Sequence, residues 1–138
     1  MAIKVDKRQL QRLIKNLGKE ADAALAAVAQ EMTNDIQLSF GTSPPGRSHK
    51  RGSITHTASQ PDYPPNVDTG QLRASMRWKK ISVLRYRITD GVEYGIFLEV
   101  GTARIAKRPF VRPVFESWAG GRLAEFLRSR LNKTVFNG

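Results

Sequence analysis

The chain offers few residues that could do covalent chemistry, and each has a structural explanation. Asp68-Thr69-Gly70 spells the active triplet of aspartic proteases. That chemistry needs two such aspartates sharing a proton, each on a loop between apolar strands. Here the triplet follows Pro-Pro-Asn-Val and runs into Gln-Leu-Arg, which reads as a helix start. Asp68 or Thr69 is then the cap of a short helical turn through Leu72 to Ser75. His49 and His56 both lie in a polar stretch, and the chain has no cysteine, so disulfides, thiol catalysis and cysteine-ligated metals are excluded. No Walker-type loop, nucleophile elbow or usefully spaced pair of carboxylates appears. The expectation is a protein that is not an enzyme, with no catalytic residue, no metal and no cofactor.

Two other groupings carry more information. Glu99 sits among Phe97, Leu98 and Val100. A carboxylate in such company is paired if it is buried. Arg104, Arg108 and Arg112 follow the Gly101-Thr102 break closely enough to supply a guanidinium. Arg108-Pro109-Phe110 and Arg112-Pro113 combine fixed backbone, an aromatic anchor and bidentate donors. Phe110 fits either the core or a neighbouring subunit, since aromatic and arginine anchors are enriched at interface hot spots. The second grouping is cationic. No acidic residue occurs from Gly70 to Thr89. If the strands there pair as a hairpin, Arg77, Lys79, Arg85 and Arg87 share one face. Like charges opposite one another across strands are destabilising, so the face calls for a nucleic acid or an acidic subunit.

The elements that must position these residues follow from hydrophobic period. From Asp6, a natural N-cap, apolar residues fall at Leu10, Leu13, Ile14, Leu17, Ala21, Ala24, Leu25, Val28, Met32, Ile36 and Phe40. The three- and four-residue spacing predicts a helix with one buried stripe. Unbroken it is about 50 Å long, and Gly18 is a point where it could divide. Gly41 follows the last periodic residue and reads as a stop. Residues 2–5 read as a short strand. Residues 41–65 are rich in Gly, Ser, Thr and Pro and read as an extended loop, irregular and held by partner subunits. Met76 and Trp78 alternate with Arg77 and Lys79, and Leu84, Tyr86 and Ile88 with Arg85 and Arg87. This predicts two strands joined by a turn near residues 80–83. Residues 94–100 fit a strand or a short helix. Phe115, Trp118, Leu123, Phe126, Leu127 and Leu131 predict a C-terminal amphipathic helix that Gly120-Gly121 could interrupt. The expected fold is α+β in one domain over residues 1–138: a small antiparallel sheet with a long N-terminal helical segment and a C-terminal helix.

Size and charge agree with that picture. The 138 residues suit one core, and 40% hydrophobic content is modest for a self-sufficient monomer. The net charge of +11 is uneven: residues 1–68 hold nine Lys/Arg against seven Asp/Glu, and residues 69–138 fourteen against five. A basic half of this kind faces a polyanion or an acidic partner. No apolar run is long enough to span a membrane, and the N-terminus lacks a signal peptide's apolar core. The expected place of synthesis is a cytoplasm.

Two blocks resemble a known family. Residues 94–116, YGIFLEVGTARIAKRPFVRPVFE, and residues 64–76, PPNVDTGQLRASM, look like the hallmarks of the tail-completion, or head–tail joining, proteins in the neck of long-tailed phages. The resemblance implies a structural virion protein, assembled in the host cytoplasm and resident in the tail or neck. It implies a ring of copies, expected to be a hexamer, that finishes the head-proximal end of the tail and joins it to the head. Expected partners are other copies of the chain, a tail terminator or tail tube protein, a head-side connector or stopper, and DNA in the channel. It also marks Asp68, Thr69, Gly70, Leu72, Arg73, Glu99, Gly101, Thr102, Arg108, Pro109, Phe110 and Arg112 as interface or motif residues. Arg77, Lys79, Arg85 and Arg87 then suit a face toward the DNA channel or an acidic neighbour. The alternative is a basic protein that binds nucleic acid without sequence preference outside a virion. It needs stacking aromatics beside the cations, yet Trp78 and Tyr86 fall on the apolar face.

Overall fold

Asp6 caps the first helix as its position predicts: its Oδ1 accepts the Arg8 N–H at 2.9 Å. The computed structural model describes residues 6–136. The strand expected at residues 2–5 and the stripe side chains Leu10 and Leu13 lie outside what is described. Helix α1 (Lys7–Ser39) runs 33 residues without a break at Gly18. No described atom approaches the site a Gly18 Cβ would occupy. The glycine's cost of about 1 kcal/mol is thus a local propensity penalty, outweighed by burial of the stripe that begins at Ala24. Burial is uneven along α1. Ala24, Val28, Met32 and Ile36 are buried, whereas Ile14 is 60% exposed. Phe40 leaves the helical conformation and Gly41 follows at φ +84°, with its N–H bonded to the Pro65 carbonyl at 3.1 Å.

Residues 41–65 correct the expectation of an irregular loop. They hold strands β1 (Pro45–Arg51) and β2 (Ile54–Ser59), paired antiparallel with Ser48 opposite Thr57 and His49 opposite His56. Gly52 and Ser53 make the turn, Gly52 at φ +61°, the residue a tight hairpin turn favours at its first central position. This hairpin is an arm. A two-stranded ribbon is marginal alone, and the arm is held near its base. The Asn66 amide donates to the Thr57 carbonyl at 3.1 Å, Arg108 Nε to the Ser59 carbonyl at 3.2 Å, and the Gln60 N–H to Ser43 Oγ at 3.0 Å.

Helix α2 (Gln71–Ser75) leads into a second hairpin, β3 (Arg77–Ser82) and β4 (Arg85–Thr89). Its register places Trp78 opposite Ile88 and Lys79 opposite Arg87. The fold is α+β as expected, with two separate two-stranded antiparallel sheets rather than one. The ambiguous segment is helical: α3 (Gly95–Val100). Then come α4 (Arg112–Ser117), a wide turn through Trp118–Arg122, and α5 (Leu123–Phe136). The turn departs from helical geometry at Gly120 and Gly121, the latter at φ +122°. That is the interruption the two glycines predict.

Two clusters hold these elements to α1. Ile36, Phe40, Leu72, Met76 and Phe110 form one. Val28, Met32 and Trp118 form the other, flanked by Leu123, Phe126 and Leu127 of α5. The Trp118 indole N–H donates to Asp35 Oδ2 at 2.8 Å, and Arg122 reaches the same oxygen at 2.6 Å with its guanidinium 4.1 Å from the indole centroid.

Asp22 fixes the second hairpin to α1. It pairs with Lys80, accepts the Leu84 N–H at 2.8 Å, and its own carbonyl accepts the Tyr86 hydroxyl at 3.2 Å. The bond to Lys80, then that to Leu84, holds the Asp22 carboxyl below its ordinary value, while the same bond raises the Lys80 ammonium. A depressed acid stabilises the fold above its unfolded pKa, and that contribution is lost as pH falls through the folded value. A raised ammonium contributes below its unfolded pKa and is lost as pH rises through the folded value. The pair therefore acts across the neutral range. Asp22→Asn is expected to melt below the wild type at pH 7, with the difference shrinking on acidification below about pH 4. A difference that stays constant down to acid unfolding overturns this.

Candidate functional site

The two blocks marked by resemblance meet at the Gly41 end of α1. Leu72 from the first and Phe110 from the second share one core cluster. Phe110 is 2% exposed and its ring centroid is 5.4 Å from that of Phe40, so it is a core residue of its own chain. Arg108 ties the second block to β2 through Ser59 and also donates to the Ala106 carbonyl. Pro109, half-buried, leads from it into Phe110.

Glu99 is half-buried and multiply bonded, but not by a guanidinium. Its Oε2 accepts the backbone N–H groups of Phe110 at 2.8 Å and Val111 at 3.0 Å, and its Oε1 that of Arg112 at 2.9 Å. It therefore caps α4 from a distance. The Arg112 side chain turns away to Glu116 at 2.8 Å. Gly101 makes the approach possible. It sits at φ +76°, and a Cβ there would fall 2.9 Å from Lys107 N. The Thr102 hydroxyl accepts from the N–H groups of Arg104 and Ile105, closing the turn that brings residues 110–112 back onto Glu99.

Asp68 does not cap α2. It pairs with Arg51 at 2.8 Å, and His56 Nδ1 is 3.7 Å away. Thr69 Oγ1 accepts the Gln71 N–H at 3.3 Å, and Gly70 stands before α2 at φ +77°. Arg73 is exposed, and its carbonyl accepts from the Gln37 amide. A cavity of about 670 Å³ lies between the arm, this block and α3, with Phe40, Leu72 and Leu98 on its walls and Arg51, Arg73 and Arg108 among its polar residues. Asp68, the acidic residue lining it, is already engaged, so the site has no carboxylate pair for acid–base chemistry. Among the described residues, no group of three His, Asp or Glu is placed to hold a metal.

The cationic grouping forms as predicted. Arg77, Lys79, Arg85 and Arg87 are all exposed, and the alternation with Trp78, Tyr86 and Ile88 puts them on the face away from α1. None has an ion-pair partner among the described residues. Trp78 instead donates its indole N–H to Gln30 at 2.9 Å and packs on Tyr86 with ring centroids 5.8 Å apart. These rings serve the attachment to α1.

Sequence reasoning missed the basic arm, the Asp22 anchor and the exposed apolar face of α3, where Ile96, Phe97 and Val100 are 56%, 49% and 62% exposed. Arg51-Gly52-Ser53 followed by the β-branched Ile54 and Thr55 was the available signal for the arm. Among the described residues no helix is long and apolar enough to cross a membrane. No known protein family, curated protein or solved structure matches the chain.

Proposed function

We propose that the protein is a structural component of a phage neck, forming a ring at the head-proximal end of a tail and joining it to the head while DNA passes through. The resemblance supplies the reading. The observation that carries it further is the surface of the second block: beyond the core residue Phe110 and the half-buried Leu98 packed against its cluster, it leaves Ile96, Phe97 and Val100 exposed on one short helix. Contiguous exposed apolar side chains mark interaction sites, and a ring of identical copies needs two different patches in contact. The expected copy number is six. The neighbours along the axis would be a tail terminator or tube protein below and a connector or stopper above. Deleting the gene from the genome that carries it is expected to leave DNA-filled heads and free tails unjoined, with joining restored by the purified protein. Normally joined particles in the deletion overturn the proposal.

The second reading, a nucleic-acid binder outside any particle, is favoured by the four unpaired cations on β3 and β4. Both readings place a polyanion or an acidic surface there, and contacts to phosphates alone suit passage without regard to sequence. Duplex DNA is expected to bind weakly, with log K falling by about 3.6 per tenfold rise in salt if all four cations meet phosphates. Replacing Arg77, Lys79, Arg85 and Arg87 by Gln is expected to abolish that slope. Equal binding by the variant, in a salt titration, assigns the DNA contacts elsewhere. The gene deletion separates the two readings, because only the neck protein is needed for joining.

A further inference from the structure

Asp90 is half-buried between β4 and α3, yet it makes no hydrogen bond or ion pair with any described residue. It lines a concavity of about 490 Å³ whose walls include Ile88, Ile96, Phe110, Val111 and Phe115. Its carboxylate lies against Gly95, where any Cβ would overlap Oδ2, so the glycine makes the room the carboxylate occupies. The other charged groups of the concavity are engaged: Glu99 by three backbone N–H groups and Arg112 by Glu116. A carboxylate set among apolar walls is costly to leave unpaired. Apolar walls around one anion fit a long cationic side chain, whose methylene stem packs while its head meets the charge.

The chain itself carries such side chains on an exposed hairpin. The β1–β2 arm lies in a stretch with no acidic residue between Asp35 and Asp62. Arg51 is held by Asp68, but Arg47 and Lys50 are exposed and have no partner among the described residues. Beside the turn, Ile54 is 70% exposed. Helix α3 separates arm from concavity: Tyr94 and Leu98 line the cavity beside the arm, while Gly95 and Ile96 line the Asp90 side. They are different patches on different sides of one helix, so a contact between them joins successive copies head to tail, the kind of interface that closes into rings.

We infer that the tip of the β1–β2 arm of one copy inserts edge-on into the Asp90 concavity of the next, with Arg47 or Lys50 on the Asp90 carboxylate and Ile54, on the ribbon face opposite Lys50, on the wall of Ile96 and Phe115. The contact deepens the ring reading and rests on it for closure, although two copies suffice to form it.

The absence of cysteine makes the test clean. Full-length protein carrying Ile54→Cys and Ile96→Cys is expected to give a ladder of disulfide-linked multimers on mild oxidation, and each single variant no ladder beyond a dimer. Asp90→Asn is near-isosteric and removes an unpaired charge, so it is expected to fold. By sedimentation velocity it should weaken association by about tenfold or more. Arg47→Glu with Lys50→Glu should do the same, and adding Asp90→Lys to that pair should restore association. Should Asp90→Asn melt early, the reversal and its rescue still decide the matter. Wild-type association by Asp90→Asn and by the double reversal overturns the contact and leaves the ring to another interface. A chain that stays monomeric at every concentration and also joins no tails overturns both.

Discussion

Replacing Phe110 by Ala is expected to lower the free energy of unfolding by about 3–5 kcal/mol. The ring is 2% exposed and packs between three stretches far apart in sequence: Ile36 and Phe40 from the end of α1, Leu72 and Met76 around α2, and its own segment after α3. Truncation leaves a cavity where these stretches meet, and the surrounding backbone cannot close it without disturbing the bonds from Glu99 to the N–H groups of Phe110 itself and Val111. Phe110→Leu keeps most of the volume and is expected to cost less than half as much. The discriminating measurement is urea unfolding of dilute, monomeric protein. Were the ring a plug for a neighbouring subunit, Phe110→Ala would weaken assembly and leave the monomer's midpoint in place. A loss under about 1 kcal/mol therefore overturns its assignment to the core.

What the sequence made legible was whatever buries one face or needs one special residue. The α1 stripe, its Asp6 cap and its Gly41 stop, the alternation of β3 and β4, and the Gly120-Gly121 break all write themselves as period or as permitted φ. The β1–β2 arm does not. Strand β1 reads PGRSHKR, with no apolar residue after Pro45, because neither of its faces packs on a core. Periodicity reports burial, so a strand held by its ladder, its turn and the Arg51–Asp68 pair is silent. The four cations on β3 and β4 were placed correctly because Trp78, Tyr86 and Ile88 fixed the register from the buried side.

The partner of Glu99 was missed for a different reason. Three arginines lay within reach along the chain, and proximity in sequence suggested a side-chain pair. The residues before α4 carried the better clue: Phe110 and Val111 offer no side-chain cap, and Pro113 marks a first turn whose N–H groups need an acceptor from elsewhere. The same logic reassigns Asp68. With Thr69 able to serve the Gln71 N–H, the carboxylate was free for Arg51 and the arm.

Glu99→Ala is expected to cost about 3 kcal/mol, from the loss of charge-assisted bonds to three consecutive N–H groups. Helix α4 has six residues, too few to persist without its cap and its packing. It also carries the chain directly into Trp118, which is 1% exposed and bonded to Asp35. Loss of the cap should therefore reach the second core cluster as well as the first. Glu99→Gln retains one acceptor oxygen and the length of the side chain, and is expected to lose about half as much. Glu99→Asp keeps the charge but is one methylene short of spanning both Phe110 and Arg112, so it should fall nearer to Ala than to Gln. Denaturant unfolding ranks the three variants, and hydrogen exchange locates the effect. In the wild type the amides of residues 110–112 should be protected, and in Glu99→Ala they should exchange as fast as exposed turns. A Glu99→Ala protein within about 0.5 kcal/mol of wild type, with those amides still protected, would mean that the cap is incidental and that packing of Phe110 alone sets the start of α4.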